Sequence, residues 1–188
     1  MRHIPNLLTS LRLVLVPCFL VASMQRMYTL AFVLFVTAAV TDIFDGAIAR
    51  RFNVRSRIGA LLDPLADKTL MICGFLYYTF SSVLPRVAIP GWLTFTVFAR
   101  DFLIVVFVYL LYTRIRVTRF PPSAAGKIST MVQAATLGAA IAANGFLPQV
   151  ERLADVLFHV SVVTTLFSGW GYLRRASQLL TDEPLAQA

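Results

Sequence analysis

Between Thr41 and Lys68 the chain reads TDIFDGAIARRFNVRSRIGALLDPLADK. Four carboxylates sit in this stretch, Asp42, Asp45, Asp63 and Asp67, at the ends of two strongly apolar runs. An isolated carboxylate is expensive in such a run. If both runs are helical, Asp42 and Asp45 stand at i,i+3 and Asp63 and Asp67 at i,i+4, so each pair shares one helix face. A short turn rich in arginine joins the runs and lets the two pairs face each other. Four carboxylates converging at a membrane boundary repel unless positive charge lies between them. Hard divalent cations take oxygen ligands, and Mg²⁺ binds carboxylates together with substrate phosphates. Gly46, Ala49 and Gly59 are small residues in the same stretch and give a bulky ligand access to the backbone.

The flanking sequence sets the class. Of 188 residues, 58% are hydrophobic and 14% charged, which is the composition of a membrane protein. The net charge of +8 raises the question of nucleic acid. The basic residues lie at the ends of apolar runs instead, which points to membrane topology and anionic lipid, with no nucleic-acid partner. Cys18 and Cys73 each fall inside an apolar run and read as buried packing residues.

The apolar runs predict an all-α membrane protein of six transmembrane helices in a single domain over residues 1–188. The first span contains the run Leu13 to Ala22, entered through an interfacial turn at Ile4 to Thr9, with Thr9 or Ser10 as a helix cap. A cleaved signal peptide fits less well, because Arg12 and Pro17 interrupt the run and Val21 to Met24 is a poor cleavage site. Five more spans are expected at Tyr28–Ala49, Ile58–Ser82, Ala88–Thr113, Ala124–Leu147 and Leu153–Leu173, each near the roughly 20 residues needed to cross the hydrocarbon. Pro85, Pro90, Pro121, Pro122 and Pro148 fall at or near their boundaries. Arg2, Arg12, Arg50, Arg51, Arg55, Arg57, Arg114, Arg116, Arg119, Lys127, Arg174 and Arg175 lie on one side. Arg26, Arg86 and Arg152 lie on the other. Twelve against three places both termini and the acidic stretch at the cytoplasmic face.

The order Asp42-x2-Asp45-Gly46-x2-Ala49-Arg50-x8-Gly59-x3-Asp63-x3-Asp67 resembles the full signature of the CDP-alcohol phosphatidyltransferases, eight fixed residues over 26 positions. The opening Pro5-Asn6-x-Leu8-Thr9-x2-Arg12 is also similar to the start of family members. The resemblance implies a two-metal site, with Mg²⁺ or Mn²⁺, that moves a phosphatidyl group from CDP-diacylglycerol to an alcohol and releases CMP. It implies that Asp42, Asp45, Asp63 and Asp67 surround the metals and that Asp67 is also the general base. Gly46, Ala49, Arg50 and Gly59 match positions that accommodate the CDP moiety, and the family implies a homodimer in a bacterial inner membrane. The plain alternative is a pair of transmembrane helices with structural ion pairs. A second alternative is a small transporter with a carboxylate cavity, against which the Arg50 and Gly59 spacing argues, since a cation pathway needs neither.

Two acceptors fit. Glycerol 3-phosphate yields phosphatidylglycerophosphate, and phosphatidylglycerol yields cardiolipin. A small phosphorylated acceptor needs cations, and Lys68, Arg116, Arg119 and Lys127 are the candidates, with Arg114 beside them. Arg100 and Asp101 lie mid-span, where charge is costly. As neighbours on a helix they are expected to face apart, each toward a partner elsewhere. Ser123-x2-Gly126-Lys127 looks like a phosphate loop but lacks its first glycine and has Ile128 where Ser or Thr is required. It resembles instead the Gly-Lys segment of glycerophospholipid-making members. His159 reads as a packed, hydrogen-bonded histidine.

Overall fold

The computed structural model describes residues 4–52, 57–115 and 123–182, with side chains over 14–41, 68–107, 109 and 123–174. Among the described residues the protein is all-helical: α1 (Ile4–Met24), α2 (Tyr28–Phe52), α3 (Arg57–Phe80), α4 (Gly91–Ile115), α5 (Ala124–Asn144) and α6 (Glu151–Asp182), with a 3-10 turn at Pro148–Val150. The helix ends follow the breakers. Pro90 precedes α4, so that helix begins at Gly91 rather than at the expected Ala88. Gly145 follows α5, which stops at Asn144, short of the expected Leu147. Pro17 lies inside α1.

The chain divides into two compact units. The first comprises Met1–Ile89 and Leu137–Ala154, the second Pro90–Thr136 and Asp155–Ala188. In the first, α1 packs on α2 and α3. Phe19 of α1 lies between Phe35 and Tyr78, with ring centroids 6.2 and 6.5 Å away. The α1–α2 corner is sharp because Arg26 adopts a left-handed conformation, φ 60°. Met27 N–H reaches Ala22 O at 2.9 Å and Arg26 N–H reaches Ser23 O at 3.1 Å, which satisfies the carbonyls that end α1. Tyr28 then starts α2, and its hydroxyl donates to Val83 O, just past the end of α3, at 3.5 Å. Asn144 ties the segment after α3 to α5. Its Oδ1 accepts from Arg86 and Val87 N–H at 3.0 and 3.1 Å, and its Nδ2 donates to Val87 O and Ala140 O at 2.7 and 2.8 Å. Gly145 leaves room for this closure: a Cβ there meets the Tyr28 Cβ at 2.9 Å.

The second unit is built on a polar seam. Ser129, Gln133 and Thr136 of α5 and Ser161, Thr165 and Ser168 of α6 are all buried, each series spaced four and three residues apart. Gln133 Nε2 donates to Ser129 Oγ and Thr165 Oγ1 at 3.1 and 2.9 Å, and Thr136 Oγ1 lies 2.6 Å from Ser161 Oγ. The outward side of α6 carries Val156, Val160, Val163, Phe167 and Trp170, all exposed. Polar inside and apolar outside is the reverse of a helix in water, and it is the pattern of helices that associate in lipid. Among the described residues, Pro148–Arg174 is the one segment long and apolar enough to cross a membrane on its own, and Val14–Met24 and Tyr28–Thr41 are shorter apolar helices.

The outward-facing surface also corrects one expectation. Cys18 is exposed and Cys73 only half-buried, both free thiols, because the apolar runs that hold them present one face outward.

Candidate active site

Helix phase and chain connectivity place the aspartates. Asp42 and Asp45 lie ten and seven residues before the last residue of α2, Phe52. Asp63 and Asp67 lie six and ten residues after the first residue of α3, Arg57. At about 1.5 Å per residue, both pairs lie some 9–15 Å from the 53–56 connection along their helices. The Tyr28 contact with Val83 puts the start of α2 and the end of α3 at one end of the first unit, so the two helices run in opposite directions. The two pairs therefore lie at similar distances along their helices from that connection. The side chains of Asp42, Asp45, Asp63 and Asp67, and those of Ala49 and Arg50, lie outside the described residues, as does the surrounding of Gly46 and Gly59; their helices are α2 and α3. Thr41, immediately before Asp42, turns its hydroxyl back to Thr37 O at 2.6 Å, and Thr37 does the same to Val33 O at 2.7 Å. These bonds satisfy the hydroxyls within the helix.

Of the acceptor candidates, Arg116 and Arg119 lie outside the described residues. Lys68 is exposed on α3 in the first unit, and Lys127 is exposed in the first turn of α5 in the second.

The second unit holds a part-buried charge cluster that the spacing rule misread. Arg100 and Asp101 do meet: Arg100 Nη1 donates to Asp101 Oδ1 at 2.7 Å. The long guanidinium arm doubles back where a shorter side chain would point away. Nη2 donates to Ser168 Oγ at 2.6 Å, and the guanidinium carbon lies 5.7 Å from the Tyr172 ring centre. Ser123, directly before α5, accepts the Gly126 N–H on its Oγ at 3.0 Å, and its own N–H donates to the Tyr172 hydroxyl at 3.4 Å. A side chain at Gly126 would be crowded: a Cβ there lies 3.1 Å from Arg100 Nη2 and from Ser123 Oγ and 3.3 Å from the Tyr172 hydroxyl. Sequence reasoning named Ser123 only as part of the rejected phosphate loop and missed Ser168 and Tyr172. A signal was present in the serine and threonine spacing of 161, 165 and 168. His159 is hydrogen-bonded as expected, with Nδ1 2.9 Å from Asp155 O and the ring beside Trp92, but it is exposed rather than packed inside.

A model of the CDP-alcohol phosphatidyltransferase family matches residues 2–167. The chain belongs to the CDP-alcohol phosphatidyltransferase family. It is thus a phosphatidyltransferase of phospholipid biosynthesis, in a family of membrane-associated enzymes. Among relatives of this phosphatidyltransferase, a probable phosphatidylglycerophosphate synthase of Mycobacterium tuberculosis is 33% identical over 183 residues, covering 93% of this chain and 81% of the relative. A CDP-diacylglycerol–glycerol-3-phosphate 3-phosphatidyltransferase of Shigella flexneri is 33% identical over 184 residues, covering 96% and 98%. A CMP-forming cardiolipin synthase of Homo sapiens is 29% identical over 198 aligned positions, covering 95% of this chain and 64% of the relative.

Proposed function

We propose that this enzyme transfers the phosphatidyl group of CDP-diacylglycerol to glycerol 3-phosphate and releases CMP. The observation that carries the reaction is the eight-residue signature, with one carboxylate pair on α2 and the other on α3 at similar distances from their connection. The choice of acceptor draws on the two relatives at 33% identity, whose names specify phosphatidylglycerophosphate synthesis or glycerol 3-phosphate. The exposed Lys68 and Lys127 suit an anionic acceptor.

The donor set is all oxygen, which fits a hard divalent cation and excludes a thiophilic one. Asp42, Asp45, Asp63 and Asp67 would hold two ions, Mg²⁺ or Mn²⁺. Bound there, such ions offset phosphate charge and steady the attacking and leaving oxygens. Gly46 and Gly59 admit the CDP moiety close to the backbone beside Ala49, and Arg50 pairs with its phosphate. Asp67 accepts the proton of the acceptor hydroxyl as that oxygen bonds to the phosphatidyl phosphorus and the pyrophosphate bond to CMP breaks. Lys68, Arg116, Arg119 and Lys127 hold the acceptor phosphate. The chain acts as one catalytic domain of six spans, integral to a bacterial inner membrane, with both termini and the site at the cytoplasmic face and two copies forming a homodimer.

The test is CMP release by purified enzyme supplied with CDP-diacylglycerol and glycerol 3-phosphate. Phosphatidylglycerophosphate should form, chelator should stop the reaction, and Mg²⁺ or Mn²⁺ should restore it. Arg116→Ala and Arg119→Ala should raise the acceptor KM more than the donor KM. A second reading, cardiolipin synthesis from phosphatidylglycerol, is favoured by the human relative. It wins if glycerol 3-phosphate is ignored and phosphatidylglycerol is consumed. Ion flux without a covalent product would sink both in favour of a transporter.

A further inference from the structure

The reaction above has no use for Arg100, yet the second unit buries this arginine to 12% side-chain exposure. Stability alone does not account for it. Apolar replacement of a buried ion pair is often neutral or stabilising. Arg100 Nε is moreover a buried nitrogen with no hydrogen-bond partner, so the arrangement is not the cheapest way to hold α4 against α6.

Its contacts converge on the first turn of α5. Asp101 and Ser168 grip the two terminal nitrogens, which fixes the plane of the guanidinium. Arg100 Cζ lies over the Tyr172 ring, 5.7 Å from its centre, and the Tyr172 hydroxyl accepts the Ser123 N–H. Ser123 in turn accepts the Gly126 N–H on its side chain and the Lys127 N–H on its carbonyl, the latter at 3.1 Å. Gly126 lies so close to Nη2 that even a methyl group would be crowded. Guanidinium, phenol and helix turn thus interlock, and the next residue along is the exposed Lys127.

The geometry points to Arg100 as a positioning residue that, clamped by Asp101, Ser168 and Tyr172, fixes the first turn of α5 and thereby aims Lys127 at the phosphate of the acceptor. The part played by Lys127 is taken from the acceptor reading above. Arg100 itself touches no substrate. It holds the backbone from which the lysine ammonium reaches, so its loss should affect acceptor capture and leave the donor alone.

The test is a double-mutant cycle on the purified full-length enzyme with Arg100→Met, Lys127→Met and the pair together, measuring both KM values. Each single variant should raise the acceptor KM by about tenfold with the donor KM within about twofold, and the double variant should be no worse than Lys127→Met alone. A merely structural arginine would raise both KM values together or lower turnover without a split. Effects that multiply in the double variant overturn the inference, as does an unchanged acceptor KM in Arg100→Met. If Arg100→Met does not fold, Tyr172→Phe, which removes only the hydroxyl on Ser123, takes its place in the cycle with the same outcomes. The wild-type assay separates the two claims. An enzyme that takes phosphatidylglycerol and ignores glycerol 3-phosphate ends the acceptor reading, and the cycle is then read with phosphatidylglycerol.

Discussion

At the scale of single residues, the four aspartates make separable predictions. Asp42→Asn, Asp45→Asn, Asp63→Asn and Asp67→Asn each remove one negative oxygen from the set proposed to hold the cations, so each should lose most turnover while the protein still inserts and folds. Near-normal turnover of Asp63→Asn would mean that the site lies elsewhere. Asp67 is further distinguished by its proposed role as base. Its substitution should slow chemistry while sparing affinity for CDP-diacylglycerol, whereas Asp42→Asn should weaken donor and metal binding together. Equal losses of donor affinity in the two variants would make Asp67 a ligand and nothing more. The proposal for these residues rests on sequence alone: a carboxylate pair at i,i+3 or i,i+4 in an apolar run is costly enough to stand out. Arg100 was only half legible. Its cost mid-span was evident, but the side chain is long enough to defeat the spacing rule, and its other partners lie 68 and 72 residues away along the chain.

Between elements, hydrogen bonds add to apolar packing, and they are unequal. Asn144 is nearly fully buried and satisfies two backbone N–H groups and two carbonyls at once. Asn144→Ala strands the buried Val87 N–H and the more exposed Arg86 N–H, and at about 1–3 kcal/mol for a buried unpaired group the loss should be a few kcal/mol. Gln133→Leu removes two side-chain bonds but leaves Ser129 and Thr165 3.1 Å apart and still paired. With interhelical bonds in membranes averaging about 0.6 kcal/mol, the cost should be near 1 kcal/mol. Thermal unfolding in detergent should therefore rank Asn144→Ala well below Gln133→Leu, and the reverse order would show that the loop closure carries little stability. Helix number and approximate span follow from the apolar runs and the prolines, which is why every expected span has its helix. The seam was harder to read, because serine and threonine are permitted in any membrane helix and only their partners on the facing helix reveal a stripe.

At the scale of the whole molecule, the distribution of arginine predicts sidedness. In a variant lacking Cys18 and Cys73, Arg86→Cys should react with a membrane-impermeant thiol reagent applied to the outer face, and Arg114→Cys should react only from the cytoplasmic face. Labelling of both from one side would remove the six-span arrangement. Charge bias gives this reading from sequence alone, whereas assembly into dimers is written in no periodicity. One feature of α6 reaches further. Its outward face asks only for apolar bulk, and exchanges among Val, Leu, Ile and Phe there change little that lipid can sense. Its inward face specifies size and hydrogen-bonding capacity at fixed intervals. The specification of such a helix is thus concentrated in fewer than half its residues, and drift on the other face is close to neutral. At 33% identity about two aligned positions in three differ, and the outward face of α6 is where such differences cost least.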